Sequence, residues 1–350
     1  MSAAIAVLEG LPEPREIEEL ELERLKLLEE EFEHFARTSL LGFILYCNPD
    51  YKPKWYHIAL CEELDDLLEA VVTRSTNIKR RRKAVHMPPR HGKSEIVSRY
   101  FPAYILGRYP DMRIIAASHT HGLASDMNRD VQRIIDSENY ARLFPATKLP
   151  ANNARTLSGK ALRNSDVFEI VGHKGYYKST GVGGRIAGKG ADILICDDPV
   201  GSREDADSKR KREKTWAWYK QDFRTRGSGW CAILLVMTRW HREDVAGKIY
   251  DAMANNEDVE QYTKICFSAV KEELDHEAAN DDRDKRLVGE TLWPENGYDE
   301  KWAAATKAVS TDLEWSGMYQ QKPAVSTGQI FKRHWHRYWT CLLYTSDAAD

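Results

Sequence analysis

The run Met87-Pro88-Pro89-Arg90-His91-Gly92-Lys93-Ser94 sits directly behind the apolar segment AVHM (84–87) and ahead of a helical stretch that opens at Glu95. Strand, turn and helix in that order, closing on Gly-Lys-Ser, is the local grammar of a phosphate-binding loop. Backbone N–H groups of such a turn, with the positive end of the next helix, surround an anion. On this pattern Pro89, Arg90, His91, Gly92, Lys93, Ser94 and Glu95 form the nucleotide-binding stretch, with Lys93 facing the β and γ oxygens of ATP and the Ser94 hydroxyl facing Mg²⁺. The usual first glycine is replaced by Met87, and a bare Gly-Lys-Ser occurs by chance, so the surrounding sequence has to carry the reading.

A second signal does so. The apolar run DILICDD (192–198) ends in Asp197-Asp198, followed by Pro199. One carboxylate at the tip of a neighbouring strand holds Mg²⁺ through water, and a second beside it orients and deprotonates the attacking water. Asp197 takes the metal role and Asp198 the water-activating role. An isolated Asp-Asp-Pro would be a strand-ending turn. Joined to a phosphate loop about a hundred residues upstream, it favours an ATPase, and no NKxD motif supports a GTPase.

Further apolar runs, RIIAAS (113–118), VFEIVG (167–172) and CAILLVMT (231–238), alternate with polar helical segments. That alternation predicts an α/β fold: a P-loop NTPase of the ASCE type, with a mostly parallel doubly wound sheet and its site at the strand C-termini. Apolar residues at helical spacing predict helices over 16–36, a strongly acidic arm, and over 55–72. The expected organisation is an N-terminal arm (1–36), an ATPase domain (37–270), a small helical lid or linker (271–340) and a foreign tail, CLLYTSDAAD (341–350).

With 51 basic and 54 acidic residues the net charge is -3, which excludes a globally basic coat and leaves nucleic-acid contact to local patches. The candidates are Lys79 to Lys83 and Lys209 to Lys214, the latter followed by Trp216, Trp218 and Tyr219; otherwise such runs are solvated helix faces. No stretch approaches the ~20 apolar residues of a membrane helix, so no membrane partner is expected. The N-terminus turns acidic too early for a signal peptide. Six cysteines without a CxxC pair read as reduced thiols, which together imply a cytoplasmic protein.

The ordered segments PPRHGKSEIVSRYFPAYILGRYPDMRIIAASHT, GVGGRIAGKGADILICDDP, MTRWHREDVAG, LWPE and MYQQKPAVSTGQIF resemble the large terminase subunits of tailed phages, over roughly residues 40 to 335. The resemblance implies an ATP-hydrolysing motor that moves double-stranded viral DNA into a procapsid. It also implies a homo-oligomeric ring working with a portal protein and a terminase small subunit, in the host cytoplasm and transiently at the procapsid portal. Pro89 to Ser94 match the family's phosphate loop and Asp197-Asp198-Pro199 its metal-binding strand end; some related motors carry glutamate at the second acidic position, which makes Glu204 and Asp205 the substitutes for Asp198 as water activator.

Thr238-Arg239-Trp240-His241 resembles the family's coupling motif, which senses the γ-phosphate and makes Thr238 and Arg239 catalytic candidates; the residues alone also fit a structural tryptophan with a capping threonine. Trp55-Tyr56-His57 resembles the segment that packs near adenine, or else serves the core. An arginine finger is expected from Arg90, Arg129, Arg226 or Arg239. The family's RNase H-like nuclease domain would begin after GQIFKRHWHRYWT, so DNA cleavage is not expected of this chain. Two other readings stand: a different DNA-translocating P-loop ATPase such as a helicase or remodeller, and a nonhydrolysing, nucleotide-gated assembly subunit.

Overall fold

A computed structural model describes residues 14–150, 162–186, 188–273 and 282–323. The expectations for residues 1–13, for most of the linker beyond residue 323 and for the tail 341–350 lie outside these. Among the described residues seven strands form one sheet: β1 (Arg82–His86), β2 (Arg113–Ser118), β3 (Val167–Glu169), β4 (Tyr176–Gly181), β5 (Ala191–Asp197), β6 (Gly227–Met237) and β7 (Thr263–Cys266). Their spatial order is β3-β4-β2-β5-β6-β1-β7, all parallel except the β3–β4 pair at one edge. Such a sheet is buried on both faces, which is why its central strands are near-continuous apolar runs.

Alternate residues supply the two faces. On one, Val85, Ile114, Ile193, Ile195, Leu234 and Val236 join a core with Phe43 and Ile44 of α2 (Leu40–Cys47) and with Tyr56, Leu60 and Leu64 of α3 (Trp55–Val72). On the other, Ala84, Ile115, Leu194, Cys196, Ile233 and Leu235 pack with Trp218, Phe223, Val245 and Ile249. The expected arm is a helix, α1 (Pro14–Thr38), which leaves Leu25, Leu28 and Phe32 exposed to solvent. No helix among the described residues is long and apolar enough to cross a membrane.

Two strands differ from the sequence reading. VFEIVG is extended only over Val167–Glu169, and its partner is YYKSTG (176–181), whose polar composition hides a strand that lies one place in from the edge. At the far edge the four-residue β7 pairs with β1 alone and is too short to show a pattern.

The first basic run is also corrected. Arg82 forms a two-pronged pair with Glu260 at 3.0 and 2.9 Å, and Arg81 donates to the Ser75 carbonyl while its guanidinium lies 5.2 Å from the Trp230 ring centre. Lys83, only 3% of its side chain exposed, bridges Glu63 (2.5 Å) and Asp66 (2.8 Å) of α3. Arg81, Arg82 and Lys83 thus fasten β1 to β6 and α3 and are not presented to a polyanion. Removing Lys83 takes away the buried cation that Glu63 and Asp66 share and leaves them only the more exposed Arg283 and Arg80, so Lys83→Ala should lower stability by about 1 kcal/mol in urea unfolding while leaving DNA affinity unchanged. An unaltered unfolding midpoint with weakened DNA binding would reverse this assignment.

Candidate active site

The site arises from strand register. Val85 of β1 pairs with Val236 of β6, and Val236 pairs with Asp197 of β5, so the three strands end level with β6 in the middle. The residues just past those ends are Met87, Thr238 and Asp198. Thr238 donates its backbone N–H to Asp198 Oδ1 at 2.8 Å and its hydroxyl to the Met87 carbonyl at 3.2 Å. Lys93, at the start of the helix behind the loop, places Nζ 2.7 Å from Asp198 Oδ2. Asp198 thus ties the loop lysine to the end of β6, and does so with a left-handed backbone (φ 44°) that Asp adopts more readily than most residues. Burial alone would lower the Lys93 pKa, but the Asp198 and Asp197 carboxylates outweigh it and hold the group above its ordinary value, so the ammonium stays charged.

Asp197 is buried beneath this pair. Its Oδ2 accepts from Ser98 Oγ at 2.6 Å, while Oδ1 has no hydrogen-bond partner. Burial, reinforced by the Asp198 charge, pushes its pKa up to about 6, against the pull of Lys93, Ser98 and Ser94. An unpartnered carboxylate oxygen beside a serine hydroxyl is a hard-oxygen donor set that fits Mg²⁺. No group of three or more His, Cys, Asp or Glu among the described residues forms a metal cage, so the ion's other ligands would be phosphate oxygens and water.

The loop is held from outside as well. Arg90 (φ 63°) and Gly92 (φ 88°) are both left-handed, and Glu95 lies in the first helical turn. His91 Nδ1–H donates to the Pro89 carbonyl at 2.8 Å, and its ring stacks on Tyr298, centroids 4.6 Å apart. His57 sits in the first turn of α3: its Nδ1 accepts the Lys54 N–H at 3.1 Å, and its Nε2 lies 3.1 Å from the His91 carbonyl. His57, expected near adenine or in the core, is fully buried and brackets the phosphate loop. Ser98 too was missed, although it lies one helical turn beyond Ser94, on the same face of the helix.

Other expected residues are placed elsewhere. Arg239 donates from Nε to Asp244 at 2.8 Å with both side chains buried, and its backbone N–H donates to Gln321 Oε1 at 3.0 Å. Its guanidinium is committed to Asp244 and packs over Tyr250. Glu204 and Asp205 pair with Lys211 and are not brought to Lys93. Of the finger candidates, Arg90 is exposed on the loop, Arg129 pairs with Asp126, and Arg226 donates to the Asp222 carbonyl.

Fold and site together define a P-loop NTPase of the ASCE type. Residues 85–337 match the family model for the terminase large subunit, T4likevirus-type, N-terminal, and the chain belongs to that family. Among solved structures, the large terminase ATPase domain of Thermus phage P74-26 aligns at 13% identity and TM-score 0.47, over 81% of this chain and 97% of that one. The HK97 bacteriophage large terminase aligns at 13% and 0.39, over 65% and 42%. No curated protein matches the chain.

Burial drives both His57 and His91 down to about 4 from the ordinary 6.5, so each is neutral in the fold. Between those values the unfolded chain binds more protons, so their stabilising contribution is complete above about 6.5 and is lost as pH falls toward about 4. The stability advantage of the parent over His57→Gln should accordingly shrink between about pH 7 and about pH 5. A gap that stays constant in thermal melts would show that His57 does not titrate in this way.

Proposed function

We propose that this chain hydrolyses ATP with Mg²⁺ and uses the turnover to drive double-stranded DNA into a viral procapsid. The observation that carries this reading is the Lys93–Asp198–Thr238 linkage at the mouth of the phosphate loop. When ATP enters, its phosphates take Lys93 from Asp198. Asp198 is then a carboxylate beside the γ-phosphate, released to orient water. As the water oxygen bonds to the γ-phosphorus and the bond to the β-γ bridging oxygen breaks, the water proton passes to Asp198 and ADP leaves with the electron pair. Ser94 and Asp197 would hold Mg²⁺, which would neutralise phosphate charge.

Thr238 shares Asp198 with Lys93, so exchange of Lys93 between carboxylate and phosphate is felt at the end of β6, which suits a coupling role. For DNA, the helix Lys209–Trp218 is the better of the two basic runs. Lys211 and Arg212 are paired with Asp205 and Glu243, but Lys209, Arg210 and Lys214 are exposed, which suits sequence-independent phosphate contact. On this reading 37–270 is the ATPase body and the segment from 271 a lid. The ring of copies, with the finger arginine supplied by a neighbour, and the portal and small-subunit partners follow from the family.

ATP turnover by the purified chain, with and without linear duplex DNA, is the test. Activity should be present, rise with DNA, and fall about a hundredfold or more in Lys93→Ala. Parent-level turnover in Lys93→Ala would end the assignment, and a parent that binds ATP without turnover would favour a nucleotide-gated assembly subunit.

A further inference from the structure

We infer that His57 sets the direction of the His91–Gly92 peptide and thereby holds the phosphate loop in its anion-binding form. The inference rests on the nucleotide-site reading above and assigns His57 as a positioning residue that touches the loop rather than the substrate.

A trans peptide is planar, so its C=O and the following N–H point in opposite directions. Whatever fixes the His91 carbonyl fixes the Gly92 N–H as well. His57 Nε2 lies 3.1 Å from that carbonyl, and the direction of the bond is set one turn away: Nδ1 already accepts the Lys54 N–H, so the ring proton must sit on Nε2 and be donated to the loop. With the carbonyl held toward α3, the Gly92 N–H is aimed at the opposite side of the loop. Among the described residues no backbone turn, loop or cap hydrogen bond engages the N–H groups of Gly92 and Lys93, which suits a phosphate cradle.

The constraint is needed because Gly92 is the residue best able to let this peptide turn over. At φ 88° it has no side chain to oppose rotation, and a flipped peptide would present a carbonyl oxygen to the phosphate. His57 also closes the space: a Cβ at Gly92 would lie 2.8 Å from Nε2. The imidazole cannot swing away, since it is fully buried between Tyr56, 4.1 Å centroid to centroid, and Trp293, edge-on at 5.1 Å. Burial keeps it neutral across ordinary pH, so the donor is a single, fixed N–H.

Three proteins separate positioning from packing: the parent, His57→Phe, which keeps an aromatic ring without a donor, and His57→Gln, whose amide nitrogen occupies the place of Nε2. The readouts are affinity for a slowly hydrolysed ATP analogue and for tripolyphosphate, with the urea midpoint as the control for folding. His57→Phe should weaken both ligands about tenfold, and His57→Gln should recover most of that loss. At saturating ATP, kcat should suffer less than kcat/KM.

Parent-like affinity in His57→Phe overturns the inference. So does His57→Gln binding as poorly as His57→Phe, which would make the effect one of packing. His57→Asn, with an amide too short to reach the carbonyl, replaces the phenylalanine variant should that fail to fold. A parent that binds neither ligand would overturn the site reading itself, and the inference with it.

Discussion

The structure turns on one ion pair, Lys93 with Asp198, held where three parallel strands end level. A buried ammonium without a counter-charge is strongly destabilising, so Lys93 must always have an anion beside it. Without nucleotide, Asp198 is that anion. On the proposed function a nucleotide phosphate replaces it, and the exchange alters two things at once: Lys93 changes partner, and Asp198 keeps the Thr238 N–H. On that reading binding is built into the same side chain that the chemistry needs, and the exchange is felt at β6 through the Thr238 N–H.

Around that pair the fold supplies support in layers. The central strands bring Met87, Thr238 and Asp198 to one level; the helix behind the loop carries Lys93, Ser94 and Ser98; and α3 fixes the loop from outside through His57. The segment following β7 closes the far side. Tyr298 stacks on His91, while Gln320 spans both backbone groups of Val270 and Gln321 accepts from the Arg239 N–H. Arg239, buried against Asp244, therefore joins the end of β6 to this outer segment. That is a structural link between site and periphery.

Sequence made the centre legible and the surroundings less so, for physical reasons. The phosphate loop, the β5 carboxylates and α3 are local patterns: glycine, charge and apolar spacing within a dozen or so residues report directly on backbone and burial. Polar YYKSTG and the short TKIC carry no such pattern, because pairing with a neighbour rather than composition makes them strands. The basic run that enters β1 gave no sign of its ion pairs because the partners lie far off in the chain: Glu63 and Asp66 on α3, and Glu260 beyond β6. His57 shows the same limit. A histidine one helical turn into a chain segment gives no sign that a loop carbonyl, 34 residues on, will stand against its Nε2.

The central claim is that Asp198 serves first as the counter-ion of Lys93 and then as acceptor of the water proton. Its most direct test is ATP turnover by Asp198→Asn, measured beside the affinity for a nonhydrolysed analogue. The amide keeps the shape and the Thr238 contact but can neither hold the ammonium as firmly nor take a proton. Turnover should drop by about a hundredfold or more, with nucleotide affinity equal to or tighter than that of the parent. Turnover at the parent rate would contradict the account.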